Sequence, residues 1–180
     1  MKFRKKINLS VITILAGLFF VFSASSVYAL YYQYGYSLYS MTYAVKTSGA
    51  DNIYATAASN WKKAVGTNIT KSSTSANRVW TGNYPYKWFG LYQPTVSGGK
   101  TYYFDIKLDL TNIANYGPHR GKFNEATISS ATHEFGHAQF LDDYTNSRRT
   151  TSIMSHQRDR TKMTKPQKHD IDNIQAYRAR

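Results

Sequence analysis

Two histidines and a glutamate, spaced as on a helix, are the residues of this chain best suited to chemistry. His133 and His137 are four residues apart, so on a helix both imidazoles project from one face. Two neutral imidazoles make half of a tetrahedral zinc site. Glu134 lies one step around the helix, where it can hydrogen-bond a water held by the zinc without binding the metal itself. The motif predicts a metal site with Glu134 as general base, and it requires a third ligand from elsewhere.

The residues that follow this HExxH motif indicate the class of zinc peptidase. In one branch the third ligand is a Glu on a later helix, but this chain has no Glu after Glu134. In the other branch, the metzincins, the pattern is HExxHxxGxxH, sometimes with Asp at the last position, and a turn containing Met follows. Residues 133–143 and Ser152-Ile153-Met154-Ser155 resemble this pattern. Residues 170–177 resemble the final helix of matrixin-type metzincin domains.

The resemblance implies an enzyme, a secreted zinc metalloendopeptidase that acts on polypeptide substrates. By that resemblance His133, His137 and Asp143 bind Zn²⁺, and Glu134 is the catalytic residue. It implies an α+β, zincin-like fold, in which a twisted mixed β-sheet packs on the active-site helix and a further helix ends the chain. Met154 is expected in the hydrophobic floor beneath the metal. A protonated imidazole two residues later could help to stabilise an oxyanion, as a Tyr does in astacin-like members.

One residue departs from the metzincin pattern. A helix that continued straight would carry Asp143 to roughly the opposite face, so the chain must bend before it. The family has Gly at the bend because a positive φ costs Gly little, whereas this chain has Phe140. Either the bend uses other dihedral angles or the site is altered. In an altered site, Asp142 or His156 would supply the third ligand.

Hydrophobic periodicity and turn residues predict the elements that must position this site. We expect a first strand near 37–46, and a helix capped by Asp51 or Asn52 and closed by Gly66. The later elements are a hairpin of residues 88–96 and 102–110, an active-site helix from a cap at Asn124 to about residue 139, and a last helix after Pro166.

The hairpin carries two further expectations. Phe104, Ile106 and Leu108 alternate with polar residues that include Asp109, so one face is expected to be buried and the other to face water. By the resemblance, residues 103–110 are the strand at the rim of the cleft, which would pair with an extended substrate. Pro94 suggests a bulge or an edge position in the other strand. Residues 112–122 are expected to form a loop.

The start of the chain predicts export. Basic residues at 2–6, an apolar run and Val27-Tyr28-Ala29 fit a signal peptide cleaved after Ala29. The apolar run is shorter than the ~20 residues that span a bilayer. We therefore expect residues 1–29 to be a signal peptide, residues 30–180 to form one catalytic domain, and the mature protein to be extracellular.

Composition excludes several kinds of functional site and indicates which partners the protein is expected to have. The chain has no Cys, which excludes disulfides, thiolate metal sites and a cysteine nucleophile. The net charge is +13, and it favours anionic surfaces such as a cell wall or lipid headgroups. Because the basic residues are scattered, we expect no nucleic-acid partner. We also expect a monomer. The alternatives to an enzyme are a non-catalytic zinc-binding protein and a basic cell-surface-binding protein.

Overall fold

The computed structural model describes residues 33–116, 121–144 and 150–180, so the predicted export segment lies outside the described residues. The described chain contains five strands and four helices. Their bounds, in chain order, are β1 (Ser40–Val45), α1 (Asp51–Val65), β2 (Asn68–Lys71), β3 (Arg78–Gly82), β4 (Gly90–Ser97), β5 (Lys100–Asp109), α2 (Leu110–Ala114), α3 (Phe123–His137) and α4 (Lys168–Arg178).

The five strands form one mixed sheet in the order β2-β1-β3-β5-β4. Strands β1, β2, β3 and β5 pair in parallel, and β4 pairs antiparallel to β5 through the predicted hairpin. Helices α1 and α3 pack together, and their buried side chains share one core with those of the sheet. The expected α+β class, with a mixed sheet packed on the helix that carries the HExxH motif, is confirmed.

Helix α1 supports α3 through its buried face. Gly66 ends α1 in the left-handed conformation (φ 74°), as predicted. Trp61 is fully buried, and its Nε1 donates a hydrogen bond to the carbonyl of Thr132 on α3 at 2.7 Å. The predicted cap at Asp51 or Asn52 is wrong, because the helix starts after Ala50 without a side-chain cap.

The edge strand that lies beside Glu134 of α3 is β4, so the expectation that residues 103–110 form this edge is wrong. β5 lies between β3 and β4 and is paired on both sides. Its alternating Phe104, Ile106 and Leu108 are fully buried, which suits an inner strand. β4 carries Pro94 and an irregularity after Thr95, which suit an edge strand.

Two local expectations near the start of α3 also fail. Asp109 does not face water: it is fully buried, and its Oδ1 accepts hydrogen bonds from the amides of Thr111 and Asn112. It thereby caps α2, a short helix that overlaps the start of the segment expected to be a loop. Helix α3 begins after Lys122 rather than at a cap on Asn124, and it ends at residue 137, two residues before the expected end.

Helix α4 closes the described chain. Pro166 is buried just before it, and the backbone amide of Gln167 donates to the carboxylate of Asp170 at 2.7 Å. Ile174 is fully buried in the common core. Within the described residues, no helix combines the length and the apolar character needed to cross a membrane.

Candidate metal centre

Three side chains from α3 and the segment after it converge on one point. Oδ1 of Asp143 lies 3.1 Å from Nε2 of His133 and 3.5 Å from Nε2 of His137. One ligand atom from each of the three residues lies within 4.8 Å of the others. Ligands at about 2.0–2.2 Å from a tetrahedral zinc are separated by roughly 3.3 Å, so the two distances from Oδ1 of Asp143 fit such an ion.

Backbone carbonyls fix which nitrogen of each imidazole faces the centre. Nδ1 of His133 is 2.9 Å from the carbonyl oxygen of Ile153, and Nδ1 of His137 is 2.8 Å from that of Leu141. A carbonyl oxygen only accepts hydrogen bonds, so each Nδ1 carries the hydrogen. When an imidazole is neutral, its Nε2 therefore presents a lone pair toward Asp143, which is the tautomer that binds a metal. Burial lowers the pKa of His137, but the hydrogen bond to Asp143 and the nearby negative charge together outweigh it and raise that pKa overall.

The convergence therefore brings together three electron-pair donors. Oδ1 of Asp143 is buried and has no hydrogen-bond partner. Burial raises the pKa of Asp143, but the surrounding imidazoles lower it well below its usual range, so the carboxylate is ionised. Burial and the charge of Arg158 lower the pKa of His133 to about 3, so that imidazole is neutral. Lone pairs that face one another across about 3 Å repel, and a shared cation, either a proton or a metal ion, removes that repulsion.

The bend before Asp143 answers the question raised by Phe140. The backbone amide of Phe140 donates to the carbonyl of His137, and that of Leu141 donates to the carbonyl of Gly136. These are the two hydrogen bonds of a Schellman motif, whose residue at this position adopts the left-handed conformation. Phe140 does so with φ 70°. The bend thus uses the dihedral angle that the family gives to Gly, at a cost of about 1–2 kcal/mol for a residue with a Cβ.

Contacts of its ring offset the conformational cost at Phe140. The phenyl ring stacks on Tyr177 of α4, with centroids 5.1 Å apart and an angle of 20° between the rings. On another side it meets Gly35, where an added Cβ would lie only 2.6 Å from Cδ2 of Phe140. The amide of Tyr36 donates to the carbonyl of Ala138 at 2.7 Å, so the segment before β1 also holds the end of α3.

Asp142 and His156, the two alternative third ligands, lie at different distances from the centre. Oδ1 of Asp142 accepts a hydrogen bond from the amide of Asp143 at 2.8 Å, and Asp142 is not part of the ligand cluster in the described chain. His156 does reach the centre, since its Nε2 is 3.0 Å from Oδ1 of Asp143. Half of the His156 side chain is exposed, so it borders the cleft rather than the core.

A buried carboxylate from α4 holds the turn that contains Met154. Oδ1 of Asp170 accepts from the hydroxyl of Ser152, and Oδ2 accepts from the amide of Ile153 at 2.9 Å. Ile153 then presents its carbonyl to His133, so α4 orients that ligand through the turn. Met154 is fully buried, as expected, and fits against Gly136, where any Cβ would overlap its sulfur.

Glu134 is buried beside the ligands, and it lies against β4. Only 3% of its surface is exposed, and its Oε1 is 3.9 Å from Nε2 of His133. A Cβ on Gly90 would lie 2.8 Å from Cδ of Glu134, so the carboxylate occupies the space that any other residue at 90 would fill. Burial raises the pKa of Glu134 to about 7.

Sequence analysis assigned no function to Gly90 or to Asp170. Gly90 lies within a predicted strand, where a glycine can mark the close approach of another group, and that was the available signal. Asp170 lies in the segment that resembles a matrixin helix, but nothing in the sequence shows that its partners come from the turn at 152–155.

Two cavities meet at Glu134 and form one cleft along the edge of the sheet. One, of about 250 Å³, includes His137 and Asp143 together with Leu91 and Tyr92 of β4. The other, of about 260 Å³, extends to Arg158 and Arg160. Residues that line both cavities are Trp88, Gly90, His133, Glu134 and His156.

Comparisons with known proteins give similarity at the level of the fold. No protein-family model and no curated protein sequence matches this chain. A chain of the ECX AB5 holotoxin, in a GM1-bound form, aligns with a TM-score of 0.54 and 14% identity, over 77% of this chain and 80% of that one. Archaemetzincin from Methanopyrus kandleri aligns with a TM-score of 0.50 and 11% identity, over 79% and 96% of the two chains. Myroilysin aligns with a TM-score of 0.50 and 9% identity, over 84% and 98%.

Archaemetzincin and myroilysin are metallopeptidases, and both are covered almost completely. At identities of 14% or less these similarities extend to the fold alone. The chain therefore has the metzincin-like fold that the sequence pattern implied, with metallopeptidases among its structural neighbours. The roles of individual residues must be argued from the geometry of this chain.

The support from α4 can be tested by comparing two of its acids. Asp170→Ala would leave a buried hydroxyl and two amides without an acceptor, so we expect the free energy of unfolding to fall by about 3–5 kcal/mol. Asp172→Ala, which removes a surface pair with Lys168, should change it by less than about 0.5 kcal/mol. Urea denaturation measures both; equal effects would show that Asp170 does not support the turn.

Proposed function

We propose that this protein is a secreted zinc-dependent endopeptidase that hydrolyses peptide bonds, with His133, His137 and Asp143 as metal ligands and Glu134 as general base. The observation that carries the proposal is the convergence of two imidazole lone pairs and an ionised carboxylate, beside a buried glutamate in an open cleft. Three protein ligands leave a fourth position of a tetrahedral ion for water or substrate, as in catalytic zinc sites.

The donor set of two imidazoles and one carboxylate suits Zn²⁺. When bound in such a site, zinc polarises a substrate carbonyl and lowers the pKa of water to about 7. The protein supplies the proton transfers. Glu134 lies in the same cleft as the ligands and can take a proton from the attacking water and deliver it to the leaving amine. Hydrolysis by this route involves no covalent bond between substrate and protein.

The edge strand β4 supports a polypeptide as substrate. Gly90, Leu91 and Tyr92 line the cleft beside the candidate ligands, so an extended chain that pairs with this edge would cross Glu134. Main-chain pairing of this kind accepts many sequences. His156, half exposed beside Asp143, can donate a hydrogen bond to the oxygen that becomes negative as the carbonyl is attacked.

The ligand assignment predicts a specific pattern of zinc content. Asp143→Ala should lose stoichiometric zinc and activity, because only two ligands remain. Asp142→Ala, its matched neighbour, should keep both, since Asp142 is not part of the ligand cluster. His156→Ala should keep zinc and lower kcat by about tenfold or more. Metal analysis and casein hydrolysis measure these effects; zinc retained in Asp143→Ala would refute the assignment.

Catalysis is tested separately from zinc binding. Chelation of the wild-type protein should abolish hydrolysis, and zinc should restore it. Glu134→Gln should keep one zinc per chain while kcat falls by about 10²–10⁴, because the proton acceptor is lost. Zinc binding without any hydrolysis in the wild type would instead indicate the non-catalytic zinc-binding protein.

Gly90 gives a second test of Glu134 that leaves the carboxylate in place. Gly90→Ala should displace the Glu134 side chain, and a shift of about 1 Å can lower the rate by about 10². Zinc content should not change. Thr95→Ala, an exposed change on the same strand, is the control and should retain full activity. If Gly90→Ala is as active as this control, the position of Glu134 against β4 is unimportant for the rate.

Export remains a proposal that rests on residues 1–29. It is supported by their signal-peptide pattern, and the +9 charge of the remaining chain would favour retention at an anionic cell surface. N-terminal sequencing of the protein from the culture medium should begin at Leu30. Recovery of the active protein only inside the cells, with Met1 intact, would contradict export.

A further inference from the structure

The cavity that reaches away from the candidate ligands is strongly basic. We call it the basic cavity, and three cations line it: Lys87, Arg158 and Arg160. Glu134 is the one carboxylate among its lining residues. The volume of about 260 Å³ is sufficient for one amino-acid side chain. Because the cavity shares Glu134 and His133 with the rest of the cleft, a group bound in it lies next to the proposed reaction centre.

Arg160 is buried and retains an unused donor. Only 7% of the residue is exposed. Its guanidinium lies 4.1 Å from the centroid of the Phe89 ring and 5.4 Å from that of Tyr116, so two aromatic faces hold it in place. Its Nε is buried without a hydrogen-bond partner. A buried cation with an unpaired donor is costly, and an anion bound in the adjoining cavity would lower the electrostatic part of that cost.

Arg158 adds a second buried charge beside the first. It is 2% exposed, and its hydrogen bonds go to neutral groups, including Oγ of Ser129 at 3.1 Å and the carbonyl of Ser155 at 2.8 Å. Within the described part of the chain, neither Arg158 nor Arg160 forms an ion pair with a carboxylate. Buried cations are normally paired, so this cavity departs from the usual arrangement.

The charge of the proposed metal site does not compensate these arginines. A divalent cation together with the carboxylates of Asp143 and Glu134 sums to zero. The buried carboxylate of Asp170 also acts on Arg158, which still leaves one of the two guanidinium charges without a balancing charge. A third cation, the exposed Lys87, lies at the mouth of the same cavity. A ligand with one or two carboxylate oxygens would lower this electrostatic cost, whereas an apolar or a basic side chain would not.

We propose that the basic cavity is a specificity subsite for an acidic side chain, Asp or Glu, on the substrate residue next to the cleaved bond. This proposal rests on the proposed endopeptidase function, because it names the substrate class of that same cleft. The side-chain carboxylate is attracted by the charges of Arg160, Arg158 and Lys87, which line the cavity. Pairing with β4 then holds the peptide, while the basic cavity selects the residue.

The test uses peptide libraries blocked by acetylation and amidation, so that carboxylates occur on side chains only. The zinc-loaded wild type should cleave beside Asp or Glu, and kcat/KM for a Glu peptide should exceed that for its Gln twin about 10- to 100-fold. Arg160→Met should lower kcat/KM for the Glu peptide far more than for the Gln peptide, and so remove this ratio. Arg160→Lys, which keeps the charge, should retain part of the ratio and shows that position 160 tolerates substitution.

A binding measurement separates this proposal from the proposed function. Fluorescence anisotropy with the hydrolysis-impaired Glu134→Gln protein should show the Glu peptide bound about tenfold more tightly than the Gln peptide, and Arg160→Met in that background should abolish the difference. Hydrolysis with no acidic preference would overturn the subsite and leave the endopeptidase standing. Acid-selective binding without wild-type hydrolysis would overturn the endopeptidase instead. Preference for an unblocked C-terminus over a side-chain carboxylate would also overturn the subsite.

Discussion

The repulsion between three electron-pair donors in one small volume is the physical constraint on which the arrangement of this site depends. With both imidazoles neutral, two nitrogen lone pairs and an ionised carboxylate face one another at 3.1 Å and 3.5 Å. The two histidines and Oδ1 of Asp143 are buried from solvent that could screen them. The repulsion is relieved by a cation, and until then the fold must hold the donors against it. Much of the surrounding structure consists of contacts that fix their positions.

Two supports hold the donors from opposite directions along the chain. Asp170 of α4 fixes the turn at Ile153, whose carbonyl sets the tautomer of His133. The segment before β1 and Tyr177 enclose Phe140, which makes the bend that returns Asp143 to the site. The C-terminal helix thus takes part in both supports. The strain of a left-handed phenylalanine persists because contacts on several sides determine it.

The cleft connects the candidate metal centre to the edge strand β4 and to the basic cavity. Gly90 brings the edge strand close enough to touch Glu134, so the strand that would bind a peptide and the residue that would move protons are in direct contact. Beyond Glu134 the cleft ends among buried guanidinium groups with neutral partners. Positive charge is therefore concentrated at the site, although the basic residues are scattered along the sequence.

The sequence by itself determined the features that depend on short spacing. His133 and His137 share a face because a helix repeats every 3.6 residues, and the hairpin and the end of α1 follow from local turn chemistry. Tertiary structure alone decided which strand lies at the edge and that Asp109 is buried. It also decided the surroundings of Gly90, Asp170 and Arg160, and that Phe140 makes the bend before Asp143 in the left-handed conformation. The reason is physical: local periodicity fixes where side chains point on one element, whereas burial, charge pairing and strain depend on elements that are distant in sequence and meet only in the fold.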